Sequence, residues 1–206
     1  MIEVELKFEL HREPSGNLAD WLNSLAFTGM KRSLDVYYDK EALDLLKQAV
    51  FVRVRNSSML EFKFNDQGDR EHVQCDERSF TLPLNEQRAS EMNGLFKRFL
   101  PNWLAQTSFE RARVTNGLIK LARIDKIRRS YLAGEVGVSV DQVDGIGNYL
   151  EIEASCEEGA ATEETLAKLR ALGSQFNLNA VKVGYVELWL LKHNSRAYRA
   201  GRYQLS

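Results

Sequence analysis

The sequence predicts an α+β fold in which eight mostly antiparallel β-strands close into a barrel, or tunnel, with helices packed outside. Three observations support this prediction. Several segments alternate apolar and polar residues with a period of two, which is typical of strands. The predicted strands come in two runs, five and then three, and helical segments follow each run. The polar faces of the strands carry charged residues, whereas their opposite faces are apolar.

The first strand is the clearest element, because residues 2–10 alternate without exception between apolar and charged side chains. Residues 50–55 and 59–64 form a predicted hairpin around residues 56–58. The predicted strands are residues 2–10, 33–39, 50–55, 59–64, 71–80, 121–132, 135–143 and 148–155. Helices are predicted from about residue 15 to 25, over 86–99, from about 103 to an Asn116-Gly117 cap, over 162–176 and over 183–192.

Length and composition indicate one ordinary globular domain over residues 1–206, with a basic tail from residue 194. The net charge of −1 gives no global reason to expect a nucleic acid or an anionic membrane as partner. Two cysteines, Cys75 and Cys156, are too few for a disulfide framework and suit a reducing compartment. The amino-terminal residues contain no apolar leader segment. We therefore expect a cytoplasmic protein, as a monomer or homodimer.

Charged residues on the strands occur in pairs two residues apart, so that each pair shares one face. For a single strand, a solvated charged face is the commoner arrangement. In this chain, however, most of the pairs are acidic or basic, whereas a solvated face mixes signs. The predicted helices must also pack on the apolar faces. If the sheet curls, this packing turns the charged faces toward one another. The charged positions are Glu3, Glu5, Lys7, Arg53, Arg55, Glu61, Lys63, Lys126, Arg128, Asp141, Glu151 and Glu153.

An interior lined with these charges needs counter-ions, because burying unpaired charge is costly. Carboxylates are hard oxygen ligands that suit Mg²⁺ or Mn²⁺. Arginine forks bind phosphate through two hydrogen bonds, and lysine supplies a compact positive charge. The combination therefore favours a polyanion with successive phosphates, bound with divalent metal.

The charged strands resemble the motifs of the CYTH superfamily, the triphosphate tunnel metalloenzymes. This group includes thiamine triphosphatases, inorganic triphosphatases and class IV adenylate cyclases. Residues 3–7 are similar to its ExExK signature. The remaining matches follow in family order over roughly residues 1–190. They are Tyr38-Asp39, residues 52–55, residues 60–63, residues 126–128, residues 138–141, the turn at residues 145–149, and residues 150–153.

The resemblance implies an eight-stranded antiparallel tunnel and a role for each matching residue. A catalytic role falls to Glu5 and Lys63, and Tyr38 is a candidate for orienting water. Metal would be held by Glu3, Glu5, Asp141, Glu151 and Glu153, with Glu5, Glu151 and Glu153 as the strongest candidates. Phosphates would be held by Lys7, Arg53, Arg55, Lys63, Lys126, Arg128 and Lys182.

Two regions depart from the family pattern. The strand beginning near residue 70 often carries two alternating acidic residues in the family, and here Glu71 fits but Val73 does not. Lys182 and Tyr185 match loosely a pattern near a C-terminal helix that closes the tunnel.

Three functions remain open at this point. The first is a metal-dependent triphosphatase acting on inorganic triphosphate or an organic triphosphate such as thiamine triphosphate. The second is a class IV adenylate cyclase, in which the ribose 3′-hydroxyl attacks the α-phosphate of ATP. The third is a non-catalytic sensor of polyphosphate or nucleotide. Five inward carboxylates favour catalysis, because a simple anion binder has little use for them.

Overall fold

The structure is a computed structural model that describes residues 2–64, 76–156, 160–203 and 205, apart from the side chains of residues 2, 3, 156, 160 and 161. These residues form nine strands, which belong to one sheet of order β5-β4-β3-β2-β6-β7-β8-β1-β9. Neighbouring strands in it are antiparallel. The strands are β1 (Ile2–Leu10), β2 (Ala26–Asp39), β3 (Phe51–Arg55), β4 (Met59–Phe64), β5 (Asp76–Thr81), β6 (Ile119–Ala133), β7 (Val136–Val143), β8 (Gly147–Cys156) and β9 (Ala180–Val181).

Six α-helices lie within the described residues, together with a short 3₁₀ turn at Leu46–Gln48. Side-chain oxygens cap three of them: Asn85, Ser108 and Asn194 each accept a hydrogen bond from a first-turn backbone amide. The helices are α1 (Asn17–Ser24), α2 (Glu86–Phe99), α3 (Phe109–Thr115), α4 (Ala160–Ser174), α5 (Tyr185–His193) and α6 (Ser195–Ala200).

The predicted α+β class and antiparallel pairing are confirmed. Helix α6, strand β9 and the first residues of β2 were not predicted. Strand β2 begins at Ala26 rather than Ser33, because residues 26–32 pair with β6 while mostly exposed and so show no apolar alternation. The basic tail contains helix α6, which buries Ala197 and Tyr198. A two-residue strand, β9, pairs with Lys7 and Phe8 of β1. The predicted strand positions 71–75, with Glu71 and Val73, lie outside the described residues.

A closed eight-stranded barrel is not confirmed. Within the described part of the chain the sheet has nine strands, and no hydrogen-bond ladder joins its edges, β5 and β9. The sheet nevertheless curls. Lys63 on β4 lies close enough to Glu5 on β1 to lower the pKa of that carboxyl, although β3, β2, β6, β7 and β8 lie between the two strands. The two ends of the sheet therefore approach each other across a cleft.

Apolar residues on the outer face of the sheet form two clusters beneath the helices. One joins β3, β4 and β5 to α2 and α3, with Phe62, Met92 and Phe96 at its centre. The other joins β1, β7 and β8 to α1 and α4, with Leu150 and Ile152 fully buried. Since these clusters occupy the outer face, the charged side chains that the structure describes on the opposite face point into the cleft.

A third apolar cluster lies at one end of the cleft, and we call it the mouth cluster. Its strand residues share the inward face with charged positions, because Tyr37 is two residues from Asp35 and Ile124 is two from Lys126. Helices α5 and α6 pack onto them and so close this end. None of the described helices is long and apolar enough to cross a lipid bilayer. The mouth cluster consists of Tyr37, Leu43, Leu46, Phe51, Ala122, Ile124, Val143, Tyr149, Val186, Leu190, Ala197 and Tyr198.

Candidate active site

Two groups of polar and charged residues line the cleft. The first, the β2–β4 wall, consists of Asp35, Tyr37, Arg53, Arg55 and Glu61. Arg53 lies directly opposite Tyr37 on β2 and Glu61 on β4 in the strand register. Its Nε donates to Glu61 Oε2 at 2.6 Å, and its Nη1 donates to Asp35 Oδ2 at 3.2 Å and to the Tyr37 hydroxyl at 3.1 Å.

Arg55 completes this wall by binding the same two carboxylates. Its Nε and Nη2 donate to the two oxygens of Asp35 at 2.9 and 3.1 Å, and its Nη1 lies 3.5 Å from Glu61 Oε1. The Arg55 side chain is 28% exposed, compared with 4% for Asp35. The carboxylates thus hold the guanidinium planes from behind and leave part of Arg55 open to the cleft.

The second group, the β6–β1 wall, consists of Glu5, Lys7, Lys126, Arg128, Asp141, Glu151 and Glu153. Asp141 is fully buried and accepts hydrogen bonds from Lys126 Nζ at 2.8 Å and from Arg128 at 2.7 and 2.6 Å. Arg128 also pairs with Glu151, which lies 3.2 Å from Lys7 Nζ. Burial raises the pKa of Asp141, but Lys126 and Arg128 outweigh this effect and lower it.

Glu5 and Glu153 form an acidic pair at the edge of this wall. The two residues lie opposite each other in the β1–β8 register, so both carboxylates emerge on the same face. Burial by itself raises the pKa of Glu5, but Lys7, at 3.1 Å, and Lys63 outweigh it and lower the pKa to about 2. Glu5 is therefore ionised at neutral pH.

Glycine at position 137 leaves space for the Glu153 side chain. Gly137 lies directly opposite Glu153 on β7. A Cβ atom at that position would come within 2.9 Å of both Cγ and Oε1 of Glu153. The absence of a side chain at position 137 thus allows the Glu153 carboxylate to lie across β7.

Helix α5 contributes one aromatic residue to the β6–β1 wall. The hydroxyl of Tyr185 donates to Asp141 Oδ2 at 2.8 Å. The ammonium groups of Lys7 and Lys126 lie 4.4 and 4.8 Å from the centre of its ring. Burial lowers the pKa of Lys126 to about 8, and it raises that of Tyr185 well above its ordinary value.

The donor chemistry of the acidic pair suits a hard divalent cation, because its ligands are carboxylate oxygens. Among the described side chains, no group of three His, Cys, Asp or Glu residues is arranged to hold a metal ion. Glu3, the third acidic position of β1, has its side chain outside the described residues. Glu5 and Glu153 are therefore the described residues best placed to hold Mg²⁺ or Mn²⁺. Asp141 and Glu151 are buried and each pairs with two bases, whereas Glu5 pairs with Lys7 and keeps about a third of its side chain exposed.

Most of the predicted site residues meet in the cleft, but two do not. Tyr38 points to the outer face, where its ring packs on Phe109 with centroids 5.3 Å apart. Successive strand residues alternate faces, so Tyr37 reaches the cleft instead. Lys182 is exposed, between β9 and α5. Lys63 lies opposite Glu77 in register and acts on Glu5 through its charge.

Four site residues had no assigned role in the sequence analysis: Asp35, Tyr37, Glu61 and Tyr185. A signal existed for the first two, because Asp35 and Tyr37 alternate on β2 and so share a face. Tyr185 had only a loose resemblance, and helical periodicity does not indicate that a side chain enters a cleft formed by distant strands.

The profile of the CYTH domain family matches residues 1–183. A candidate adenylate cyclase of Methanocaldococcus jannaschii is 23% identical over 194 residues, which cover 91% of this chain and 98% of that protein. Among solved structures, a Pyrococcus horikoshii OT3 protein shares the fold with a TM-score of 0.64 and 20% identity, covering 93% of this chain and 99% of its own.

A second solved structure carries a description of activity. It is a candidate adenylyl cyclase from Hippeastrum described as having a dominant triphosphatase activity. It aligns with a TM-score of 0.54 and 18% identity over 98% of this chain and 97% of its own. At this identity the similarity concerns the fold. The family match spans nearly the whole chain, and this protein belongs to the CYTH domain family.

Proposed function

We propose that this protein hydrolyses a triphosphate, either inorganic triphosphate or an organic triphosphate such as thiamine triphosphate, with Mg²⁺ or Mn²⁺. The observation that carries the proposal is the distribution of basic and acidic residues between the two walls of the cleft. Paired bases occupy both walls, and the acidic pair of Glu5 and Glu153 stands beside them on one wall only. Bases on two sides suit a chain of phosphates, and one acidic edge suits a metal-assisted reaction at a single phosphorus.

The bases are held ready for phosphate by their carboxylate partners. Arg55 and Arg128 keep 28% and 26% of their side chains exposed while their partners Asp35 and Asp141 are almost or fully buried. Their donors are therefore fixed before substrate arrives, which reduces the entropy lost on binding. Fixed positive charge of this kind stabilises the charge that moves onto phosphate oxygens during transfer.

The acidic pair would hold the divalent cation. When bound there, Mg²⁺ or Mn²⁺ lowers the pKa of a water molecule and offsets charge on the phosphoryl oxygens. Glu5 suits this role because its pKa of about 2 keeps it ionised. Lys63 is close enough to act on Glu5 through its charge, and we assign it to the terminal phosphoryl oxygens.

Adenylate cyclase activity is the second candidate, and the name of the Methanocaldococcus jannaschii relative favours it. The two reactions use the same binding residues. They differ in which phosphorus faces the nucleophile: a triphosphatase presents the terminal one to water, and a cyclase presents the α-phosphorus to the ribose hydroxyl.

The deciding experiment measures phosphate, pyrophosphate and cyclic AMP released from inorganic triphosphate, thiamine triphosphate and ATP, with Mg²⁺, Mn²⁺ or a chelator. Metal-dependent phosphate release from one compound supports the triphosphatase and identifies its substrate. Cyclic AMP with pyrophosphate from ATP replaces it with the cyclase. Tight triphosphate binding without any product overturns both and leaves the sensor.

A further inference from the structure

The closing helix contacts the charged cleft through Tyr185. Tyr185 is the first residue of α5, which packs in the mouth cluster through Val186 and Leu190. Its ring meets the ring of Tyr149 edge-on, with centroids 5.1 Å apart. The orientation of the ring is thus set by an aromatic neighbour on β8 and by the packing of its own helix.

Two lysines from different strands meet this one ring. Lys7 of β1 and Lys126 of β6 place their ammonium groups 4.4 and 4.8 Å from its centre. The face of an aromatic ring carries negative potential, so it attracts ammonium groups at this distance, more strongly where water is excluded. The ring therefore offsets part of the repulsion between two like charges that lie near each other.

The hydroxyl of Tyr185 makes a separate contact, to Asp141. Asp141 keeps its bonds to Lys126 and Arg128 if that hydroxyl is removed. Loss of the ring, in contrast, leaves both ammonium groups without the aromatic face. The ring is accordingly the part of Tyr185 with the larger effect on the lysines.

We propose that Tyr185 is a positioning residue, whose ring holds Lys7 and Lys126 at the spacing with which they meet neighbouring phosphate oxygens. The inference deepens the proposed function and rests on it for the identity of the anion. In this arrangement the closing helix does more than seal the mouth, since it also sets the geometry of the β6–β1 wall.

Three variants separate the ring from the hydroxyl and from general packing. Tyr185→Leu removes the ring, and Tyr185→Phe removes only the hydroxyl. Leu190→Ala loosens the same helix at a fully buried position of the mouth cluster. If Tyr185→Leu does not fold, Tyr185→Met fills the space with a flexible unbranched chain and still lacks the aromatic face.

The first measurement needs no substrate. Each protein is treated briefly with an amine-acylating reagent, and modification of Lys7 and Lys126 is quantified by peptide mass spectrometry relative to the exposed Lys97. We expect modification of both lysines to rise several-fold in Tyr185→Leu and to stay near wild type in Tyr185→Phe and Leu190→Ala. Equal modification in Tyr185→Leu and wild type, or an equal rise in Leu190→Ala, overturns the proposal.

The second measurement is the dissociation constant of inorganic triphosphate in chelator, by calorimetry. Two weakened cation–π contacts correspond to a loss of about 10-fold in affinity for Tyr185→Leu. Tyr185→Phe should stay within about 3-fold of wild type, because the ring is retained. Affinity unchanged in Tyr185→Leu overturns the positioning role. Failure of the wild-type protein to bind triphosphate overturns the proposed function instead, and the acylation result then decides on Tyr185.

Discussion

The two walls of the cleft pair their bases with carboxylates in different ways. In the β2–β4 wall, Arg53 and Arg55 share two carboxylates, and each arginine contacts both. In the β6–β1 wall, one fully buried carboxylate, Asp141, takes three hydrogen bonds from Lys126 and Arg128. Both arginines of the first wall therefore have two carboxylate partners, whereas in the second wall Arg128 also pairs with Glu151 and Lys126 pairs, among the described residues, with Asp141 alone.

The walls also differ in what they offer a ligand. The β2–β4 wall presents guanidinium forks, which suit the flat oxygen pairs of phosphate. The β6–β1 wall adds lysines and the acidic pair of Glu5 and Glu153, which suits metal. We infer that the first wall serves binding, and that the second combines binding with the metal-assisted step. Four predictions, from the largest effect to the smallest, test this comparison.

Arg55→Ala and Glu153→Ala remove one functional group from each wall, and each should reduce turnover by about 10³-fold. The fold should remain intact, as checked by circular dichroism and thermal unfolding. The walls should differ in chelator, because Arg55→Ala weakens metal-free triphosphate binding and Glu153→Ala does not. Activity close to wild type in both variants would remove the basis for the assignment of the cleft.

Asp141→Asn removes the carboxylate partner of Lys126, whereas Asp35→Asn removes a carboxylate whose arginines also contact Glu61. Asp141→Asn leaves the largely buried Lys126 without its carboxylate partner, while Arg128 keeps Glu151, so we expect a loss of about 3 kcal/mol in the free energy of unfolding. Asp35→Asn should cost about 1 kcal/mol, because Glu61 still contacts both arginines. Urea unfolding measures both values. Equal losses would contradict the difference in redundancy.

Gly137→Ala tests the space beside Glu153 without removing any functional group. The new methyl group would lie 2.9 Å from Glu153, so the carboxylate must move away. We expect turnover to fall by about 10-fold, because small displacements of a catalytic group are costly, with a higher metal concentration needed for half-maximal rate.

The matched control is Gly94→Ala, on the exposed face of α2, where an added methyl group meets nothing within 4 Å. It should leave activity unchanged and raise stability by about 1 kcal/mol, since alanine favours helix. Unchanged activity and metal dependence in Gly137→Ala would show that the acidic pair does not need this space.

A pH titration of binding separates lysine from arginine. Lys126, with a pKa of about 8, loses its proton as pH rises through that value, whereas Arg53 of the β2–β4 wall, whose pKa is raised, stays charged. Triphosphate affinity should therefore fall above about pH 8, by up to about 10-fold if one charged hydrogen bond is lost.

Lys126→Arg serves as the control for this titration, because it keeps its charge over the same range. Its affinity should be nearly flat between pH 7 and 10. Since ionisation of the ligand is common to both proteins, the difference between the two profiles reports position 126 alone. Identical profiles would mean that Lys126 does not meet the phosphates.

Much of the site could be predicted because a strand assigns its faces locally. The alternation around Lys7, Arg53 and Glu153 placed each of them on the charged face of its own strand before any contact was known. Tyr38 shows the limit of motif matching, since the neighbouring Tyr37 is the residue on the inward face of the strand. Asp35 lies on the same inward face, but its role depends on arginines from another strand.

The rest of the fold depended on contacts that carry little local signal. Strand β9 has two residues and exists through its pairing with β1. The exposed beginning of β2 has no apolar period to detect, and α6 is a single short helix that packs Ala197 and Tyr198 into the mouth cluster.

The sequence by itself determined the class of the fold, the inward face of each charged strand and the family, because these follow from period-two alternation and the order of the motifs. Only the tertiary structure decided which carboxylate holds each base, that the described strands curl without a closed ladder, and that Tyr185 enters the cleft. These features arise between residues far apart in the chain, such as Tyr185 and Asp141, 44 positions apart. Local patterns cannot specify such pairings, because they depend on how the whole sheet bends.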